Sequence, residues 1–370
     1  MLKKMIFEFL SSFENLFLIK NTKSLAEKKL IVLGALNADN YMLFCGAIIP
    51  SGGCGTALRV ASSLMSNTKL YAVVMESAGV LNLNEIVKLF PSGTLVNEIN
   101  ASELYKNKNI IFTNWQSYHK FSFYESAKKY MFVQDCEYWF FPKGRTYFQA
   151  LEPYADINVH KICLGKWIFN EVERYRGKNH YIDFPVTLNE KFADSILKVE
   201  NGNIEVLIYV KHSFRRAGGV LLEQLRQVPS FINGRKMRYV VYGYKPSTLF
   251  KFYYYNKNVK FLGYIKEASI IEQIKRCDIG VVYSCTNVSL FPFQLAAAKK
   301  PVIDLKNGGA EIDQLDCAKI LINSNKESLN DGLMEYVSNK IKYDSIAQNN
   351  NFINYSIDDV ARQFNRIIAD

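Results

Sequence analysis

Residues Ile204 to Val210 read IEVLIYV, an almost unbroken apolar run. A strand of that kind is stable only where both faces are covered, as in a parallel sheet with helices on either side. The chain beyond it repeats the same demand. A turn, KHSFRRAGG, leads into the helical stretch VLLEQLRQV. MRYVVYGY and VKFLGY then read as strands, ASIIEQIKRC as a helix, DIGVVYS as a strand, LFPFQLAAAKK as a helix and PVIDL as a strand. Alternation of this period predicts an α/β fold with a doubly wound sheet.

An earlier series follows the same rule. KLIVLGAL (Lys29 to Leu36), KLYAVVM (Lys69 to Met75), NIIFTNW (Asn109 to Trp115) and KKYMFVQD (Lys128 to Asp135) are expected strands. IIPSGGCGTALRVASSLMSN reads as a strand end, a glycine-rich turn and a helix with Ala57, Val60, Ala61 and Leu64 on one stripe. Asn82 to Leu89 is a further helical stretch. Two such halves suit a chain of 370 residues. Residues 1–195 are expected to form the first Rossmann-like domain, with a helical extension over about 1–27. Residues 196–350 form the second, after a linker near Asn189 to Asn203. Residues 351–370 hold a last helix expected to cross back to the first domain.

Composition narrows the partners. The formal charge of +11 points to an anion, whether a phosphorylated substrate, a membrane surface or nucleic acid, or else to a Lys-rich solvated surface. A nucleic-acid face would line up cations with interleaved aromatics, and no such line is present, so no nucleic-acid partner is expected. The seven cysteines have no CxxC and no zinc spacing, as expected of reduced thiols in the cytoplasm. The N-terminus is neither a signal peptide nor a membrane span. Phe7, Leu10, Phe13, Leu16 and Phe17 form one helical stripe flanked by Lys. It suits an anionic membrane surface or a packed face of the protein, and Glu8 and Glu14 dilute its basic character.

In open α/β sheets, ligands sit beyond the carboxyl ends of the strands. In the first half that singles out Gly52 and Gly53, Thr113 to Trp115, and Gln134 to Glu137. In the second it singles out Lys211 to Arg216, Gly243, Gly263, Tyr264, the stretch from Ser284 to Gln294, and Asn307 to Gly309. Gly52-Gly53-Cys54-Gly55 is not a GxGxxG and no Lys-Ser/Thr follows, so it is either a close backbone approach to substrate or a plain tight turn. Without GxGxxG and its downstream acid, a dehydrogenase is not expected. Lys211, Arg215 and Arg216 suit a diphosphate whose charge grows as it leaves, or else form a solvated basic loop. Asp135 and Glu137 are placed either to activate or hold an acceptor hydroxyl or to cap the FFPKG turn. Trp115, Tyr138, Trp139 and Phe140 either stack on sugar faces or pack the core. The four histidines have no metal spacing, although His212 adjoins Lys211. Asp358-Asp359 lies too near the terminus to serve as a DxD metal motif, so no metal is expected.

VKFLGYIKEASIIEQIKRCDIGVVYS, continued through Pro301-Val302-Ile303, resembles the second domain of the GT-B glycosyltransferases, family 4 in particular. That family carries a strand v-x-f-L-G-x-v, a helix ending in adi, a strand ending in Ser, and a helix ahead of PVI. Its usual signature is Glu, seven residues, Glu, and the second Glu binds the ribose of the nucleotide sugar. Here that position is Gln294, and eight places earlier stands Thr286. YMFVQDCEYWFFPKGRTYFQALEPY, Tyr130 to Tyr154, resembles the yFVQDyEp-x-FyP-x-G-x-x-Y segment of the WsaF-type rhamnosyltransferases, with FTNWQS before it and ICLGKWIFNEV after it. Lys211 falls where that subfamily has an Arg, and Arg216 falls on its second Arg. Ser289 and Pro292 match its S-x-P-P-L-E, and Gln294 departs from the final acid. The likeness spans about residues 30 to 310.

The resemblance implies a GT-B fold in which two Rossmann-like domains face a cleft, acceptor side first and nucleotide-sugar side second. It implies a retaining, metal-independent transferase with no cofactor, a nucleotide-diphosphate sugar donor (dTDP-L-rhamnose first), and a lipid-linked glycan acceptor such as growing O-antigen or capsule. Lys211, Arg216 and the start of the helix after Ser289 would assist departure of the nucleoside diphosphate, with Gly243, Gly263, Tyr264 and Gln294 around the donor. A cytoplasmic enzyme in peripheral contact with the inner membrane follows, and the basic charge suits the anionic leaflet. The absent acids keep two further readings open: a UDP-hexose donor, or a non-catalytic partner in a polysaccharide assembly complex. Oligomerisation is left open.

Overall fold

The computed structural model describes residues 28–48, 52–104, 106–122, 124–185, 202–211, 216–246, 256–306, 308–314, 317–325, 328–349 and 356–370. The N-terminal apolar stripe, residues 212–215 with His212 and Arg215, Asn307 and most of the expected linker lie outside them. The chain forms two compact units that divide between Tyr130 and Met131.

The first unit carries β1 (Lys29–Leu33), β2 (Asn40–Phe44), β3 (Tyr71–Glu76), β4 (Val96–Asn100) and β5 (Asn109–Phe112), in the order β4-β1-β3-β2-β5. β2 runs parallel to β3 and β5. β1 runs antiparallel to both of its neighbours, so one side of the sheet departs from an all-parallel plan. The helix Gly52–Asn67 makes the crossover from β2 to β3 and buries Ala57, Leu58, Val60, Ala61 and Leu64. That is the stripe its spacing predicts, widened by Leu58. The strand ahead of the glycine-rich turn is Asn40–Phe44, every residue of it buried.

The second unit takes in the rest of β6 (Lys129–Val133), with β7 (Val159–Leu164) and β8 (Asn179–Ile182) following in order. The last helix, Ile357–Ala369, packs here. Phe364 meets Phe132 edge-on, and Gln363 bonds Asp183. The unit also holds a second sheet: β9 (Asn203–Tyr209), β10 (Phe231–Ile232), β11 (Arg235–Tyr242), β12 (Val259–Gly263), β13 (Ile279–Val281), β14 (Val302–Leu305) and β15 (Lys319–Ile322). Its order is β10-β11-β9-β13-β14-β15, with β12 on β11. Every pairing in it is parallel except the short β10–β11 hairpin.

The second sheet explains the apolar run from which it was foreseen. Ile204, Val206, Ile208 and Val210 point into one core with Leu221, Leu222, Leu329 and Leu333. Leu207 points into another with Ile274, Phe291 and Leu295. Both faces of β9 are therefore covered, as the composition requires. Gly280 on β13 lets the helix Phe291–Ala297 come close, for a Cβ there would sit 2.1 Å from Leu295 Cδ1. No described helix is long and apolar enough to cross a membrane.

Candidate functional site

At the carboxyl edge of the second sheet, a set of buried hydrogen bonds is centred on Asp304, fully buried in β14. Its carboxylate accepts the Ser284 N–H at 2.8 Å, the Leu305 N–H at 2.8 Å and Gln314 Nε2 at 2.8 Å. Burial pushes its carboxyl up, and the bonds from Gln314, Ser284 and Leu305 oppose that shift. Ser284 Oγ in turn accepts the Ser289 N–H at 3.2 Å, and Ser289 Oγ accepts the Phe291 N–H at 3.3 Å. Ser289 is itself 5% exposed. One carboxylate thus fixes both ends of the loop from Ser284 to Ser289 and the start of the helix Phe291–Ala297. Asp304 lies inside a strand, and its one signal in the sequence is that it is a lone acid in the otherwise apolar PVIDL.

Around this loop stand the other residues singled out above. Val210 N–H donates to the Tyr242 carbonyl at 3.0 Å, and the exposed Lys211 follows directly at the end of β9. Arg216 is 8% exposed, and its Nη1 donates to the Asn287 carbonyl at 2.5 Å. Gly243 N–H donates to the Gly263 carbonyl at 2.9 Å, which joins the ends of β11 and β12. Tyr264 is 79% exposed beside them. Gln294 is half-buried in the first turns of its helix, and its side chain makes no hydrogen bond among the described residues. Cys285 is held as a neutral thiol, pushed up to about 11 by burial against the opposing pull of Arg216.

Asp135 and Glu137 lie at the end of β6, in the same compact unit. Asp135 is 4% exposed. Its Oδ1 accepts the Cys136 N–H at 2.9 Å and its Oδ2 accepts Thr286 Oγ1 at 3.1 Å. The fully buried Tyr154 hydroxyl donates to the Asp135 carbonyl at 2.7 Å and accepts the Glu137 N–H at 3.1 Å. Tyr154, the last residue of the VQD-E-FP-G segment, thus pins the turn that carries both acids. Tyr138 is buried among Trp139, Tyr147, Tyr154 and Tyr175, so it packs the core.

In the first unit, Gly52 and Gly53 are exposed at the start of the helix Gly52–Asn67, and Gly52 has φ +57°. Trp115 is 9% exposed and packs edge-on to His119.

No family model matches the chain, and no curated protein matches it. Solved structures do. Sucrose-phosphate synthase from Thermosynechococcus elongatus superposes with a TM-score of 0.60 at 12% identity, over 90% of this chain and 98% of that one. HepE from Anabaena, solved with UDP and glucose, gives 0.59 at 13% identity over 89% and 99%. WaaG, a glycosyltransferase involved in lipopolysaccharide biosynthesis, gives 0.57 at 11% identity over 89% and 99%. The fold is GT-B, with two Rossmann-like sheets.

Proposed function

We propose that this chain is a glycosyltransferase that moves a sugar from a nucleotide-diphosphate donor to a growing bacterial surface polysaccharide, with retention and without a metal. The observation that carries this reading is the grouping of Lys211, Arg216 and the tied loop Ser284 to Ser289 at the carboxyl edge of one parallel sheet. β9 and β13 are neighbours there, and Arg216 bonds the Asn287 carbonyl of the loop that follows β13. Two cations at that edge suit a diphosphate, and preorganised positive charge is worth most where negative charge grows on a leaving group. Gln294 takes the ribose end with a neutral amide, which accepts and donates but forgoes a charge-assisted bond. Gly243, Gly263 and Tyr264 border the donor. Glu137 is the carboxylate for the acceptor hydroxyl, while Asp135 holds the turn. Gly52, Gly53 and Trp115 belong to the acceptor side. The acceptor is a lipid-linked glycan met at the inner face of the cytoplasmic membrane.

Rhamnose as the sugar rests on the likeness of Tyr130 to Tyr154 to the WsaF-type enzymes. A UDP-hexose donor is the second reading, and the HepE complex with UDP-glucose favours it. A panel of nucleotide sugars in a thermal-shift assay separates the two, because a ligand that binds the native state raises its melting point. The reading expects dTDP-L-rhamnose to give the largest shift. A larger shift with UDP-glucose moves the donor, and no shift with any nucleotide sugar overturns the proposal. Lys211→Ala and Arg216→Ala are expected to cut transfer by roughly two orders of magnitude with the fold intact. Full activity in both would remove the diphosphate assignment.

A further inference from the structure

Thr286 and Asn287 are tied on both sides. Thr286 Oγ1 donates to Asp135 Oδ2 at 3.1 Å, and Asn287 Nδ2 donates to the Gln134 carbonyl at 3.1 Å. These bonds bridge 151 and 153 residues of sequence. On the other side, the Asn287 carbonyl receives Arg216 Nη1 at 2.5 Å. The direction of a carbonyl is fixed by its peptide plane. The residue that carries this carbonyl and the one before it are both held by side-chain bonds to the end of β6, itself pinned by Tyr154. An arginine side chain loses rotamer entropy when it is fixed, and its planar fork is useful only in one orientation.

We propose that Thr286 and Asp135 are positioning residues for Arg216: the hydroxyl–carboxylate bond sets the peptide plane of Asn287, and that carbonyl sets the guanidinium. The inference rests on the diphosphate role given to Arg216 above. Thr286 is then more than a neutral replacement for an acid. It connects the loop after β13 to a carboxylate supplied from the end of β6. A hydroxyl donating to a carboxylate is also stronger than one donating to a neutral oxygen.

The test uses the full chain and two variants. Thr286→Val keeps the shape and loses the hydroxyl; Thr286→Ser keeps the hydroxyl. In the protein without ligand, Thr286→Val is expected to speed amide hydrogen exchange in the peptide 284–289 and to shift the Arg216 Nε–H resonance, assigned with Arg216→Lys. Thr286→Ser is expected to leave both near wild type. In transfer assays Thr286→Val is expected to lower kcat by about tenfold with donor KM within about threefold, and Thr286→Ser to stay within about twofold. The loss is expected to vanish when Arg216 is already Ala, because residues that act through one another are not additive. Additive losses, or a Thr286→Val protein with unchanged exchange and an unmoved Arg216 signal, overturn the inference. If the wild type turns over no donor, the proposed transferase function fails. The exchange and resonance measurements still decide the positioning claim.

Discussion

The Asp313 carboxylate accepts the backbone N–H of Lys166 at 2.7 Å across 147 residues of sequence, and it also receives the Trp167 N–H at 3.2 Å. It caps the helix Lys166–Val172 from a separate segment, the short helix Gly309–Asp313. Burial pushes this carboxyl up to about 6, against the two N–H bonds and the charges of Lys166 and Lys319. A folded-state value above the ordinary carboxylate value means that the native protein holds a proton which the unfolded chain has released. Between about pH 4 and 6, stability contributed here therefore falls as pH rises, by about 3 kcal/mol at most. Asp313→Asn keeps an accepting oxygen and removes the titration. Urea unfolding across that window is expected to show the wild type losing stability relative to the variant as pH rises. Parallel curves would refute the assignment.

Asp304 offers a test of the loop it holds. In Asp304→Ala, the Ser284 and Leu305 N–H groups and Gln314 Nε2 lose their common acceptor. A buried donor left unpaired costs about 1–3 kcal/mol, so a loss of at least about 3 kcal/mol is expected in chemical denaturation. Asp304→Asn, with one acceptor oxygen left, is expected to lose less. Equal stability of Asp304→Ala and wild type would show that the loop is held by other means.

Gly243 has φ +82°, and a Cβ there would meet the Val210 carbonyl oxygen at 2.7 Å. A backbone atom cannot swing aside as a side-chain tip can. Gly234 has φ +75° with nothing near its absent Cβ, so it serves as the matched control. Gly234→Ala is expected to cost about 1 kcal/mol of conformational strain, and Gly243→Ala clearly more. Differential scanning calorimetry of the two variants reads the difference, and equal melting points would show that the approach of Val210 imposes nothing.

Gln294→Glu is expected to keep or tighten nucleotide binding by up to about tenfold, because a carboxylate makes the stronger bond to a hydroxyl. Isothermal titration with the donor nucleotide measures it. A marked loss of affinity would mean that position 294 does not meet the ribose.

Much of the second sheet was legible because its strands are apolar runs closed by glycine or charge and alternate with recognisable helical stretches. IEVLIYV, MRYVVYGY, VKFLGY and PVIDL became β9, β11, β12 and β14 within two or three residues of their expected ends. The first unit was harder to read. NYMLF is only five residues and buried throughout, too short for periodicity to separate strand from helix. VNEIN, which became β4, is polar and mostly solvent-facing, so no apolar run announced it. The antiparallel direction of β1 left no trace in its composition.

The sequence by itself determined the class of the fold, the stacking of helices on both faces of β9, and which residues follow the carboxyl ends of strands. Those features depend on local periodicity and on how much apolar surface each run must hide. Only the tertiary structure decided what those residues touch. Asp304 became the anchor of a loop, Asp313 the cap of a remote helix, and Asp135 the acceptor for Thr286, because each carboxylate, buried or half-buried, lies beside donors from segments 10 to 151 residues away. A carboxylate withdrawn from water must find such donors, but which donors the fold brings within hydrogen-bond reach is a matter of three-dimensional placement that local sequence does not record.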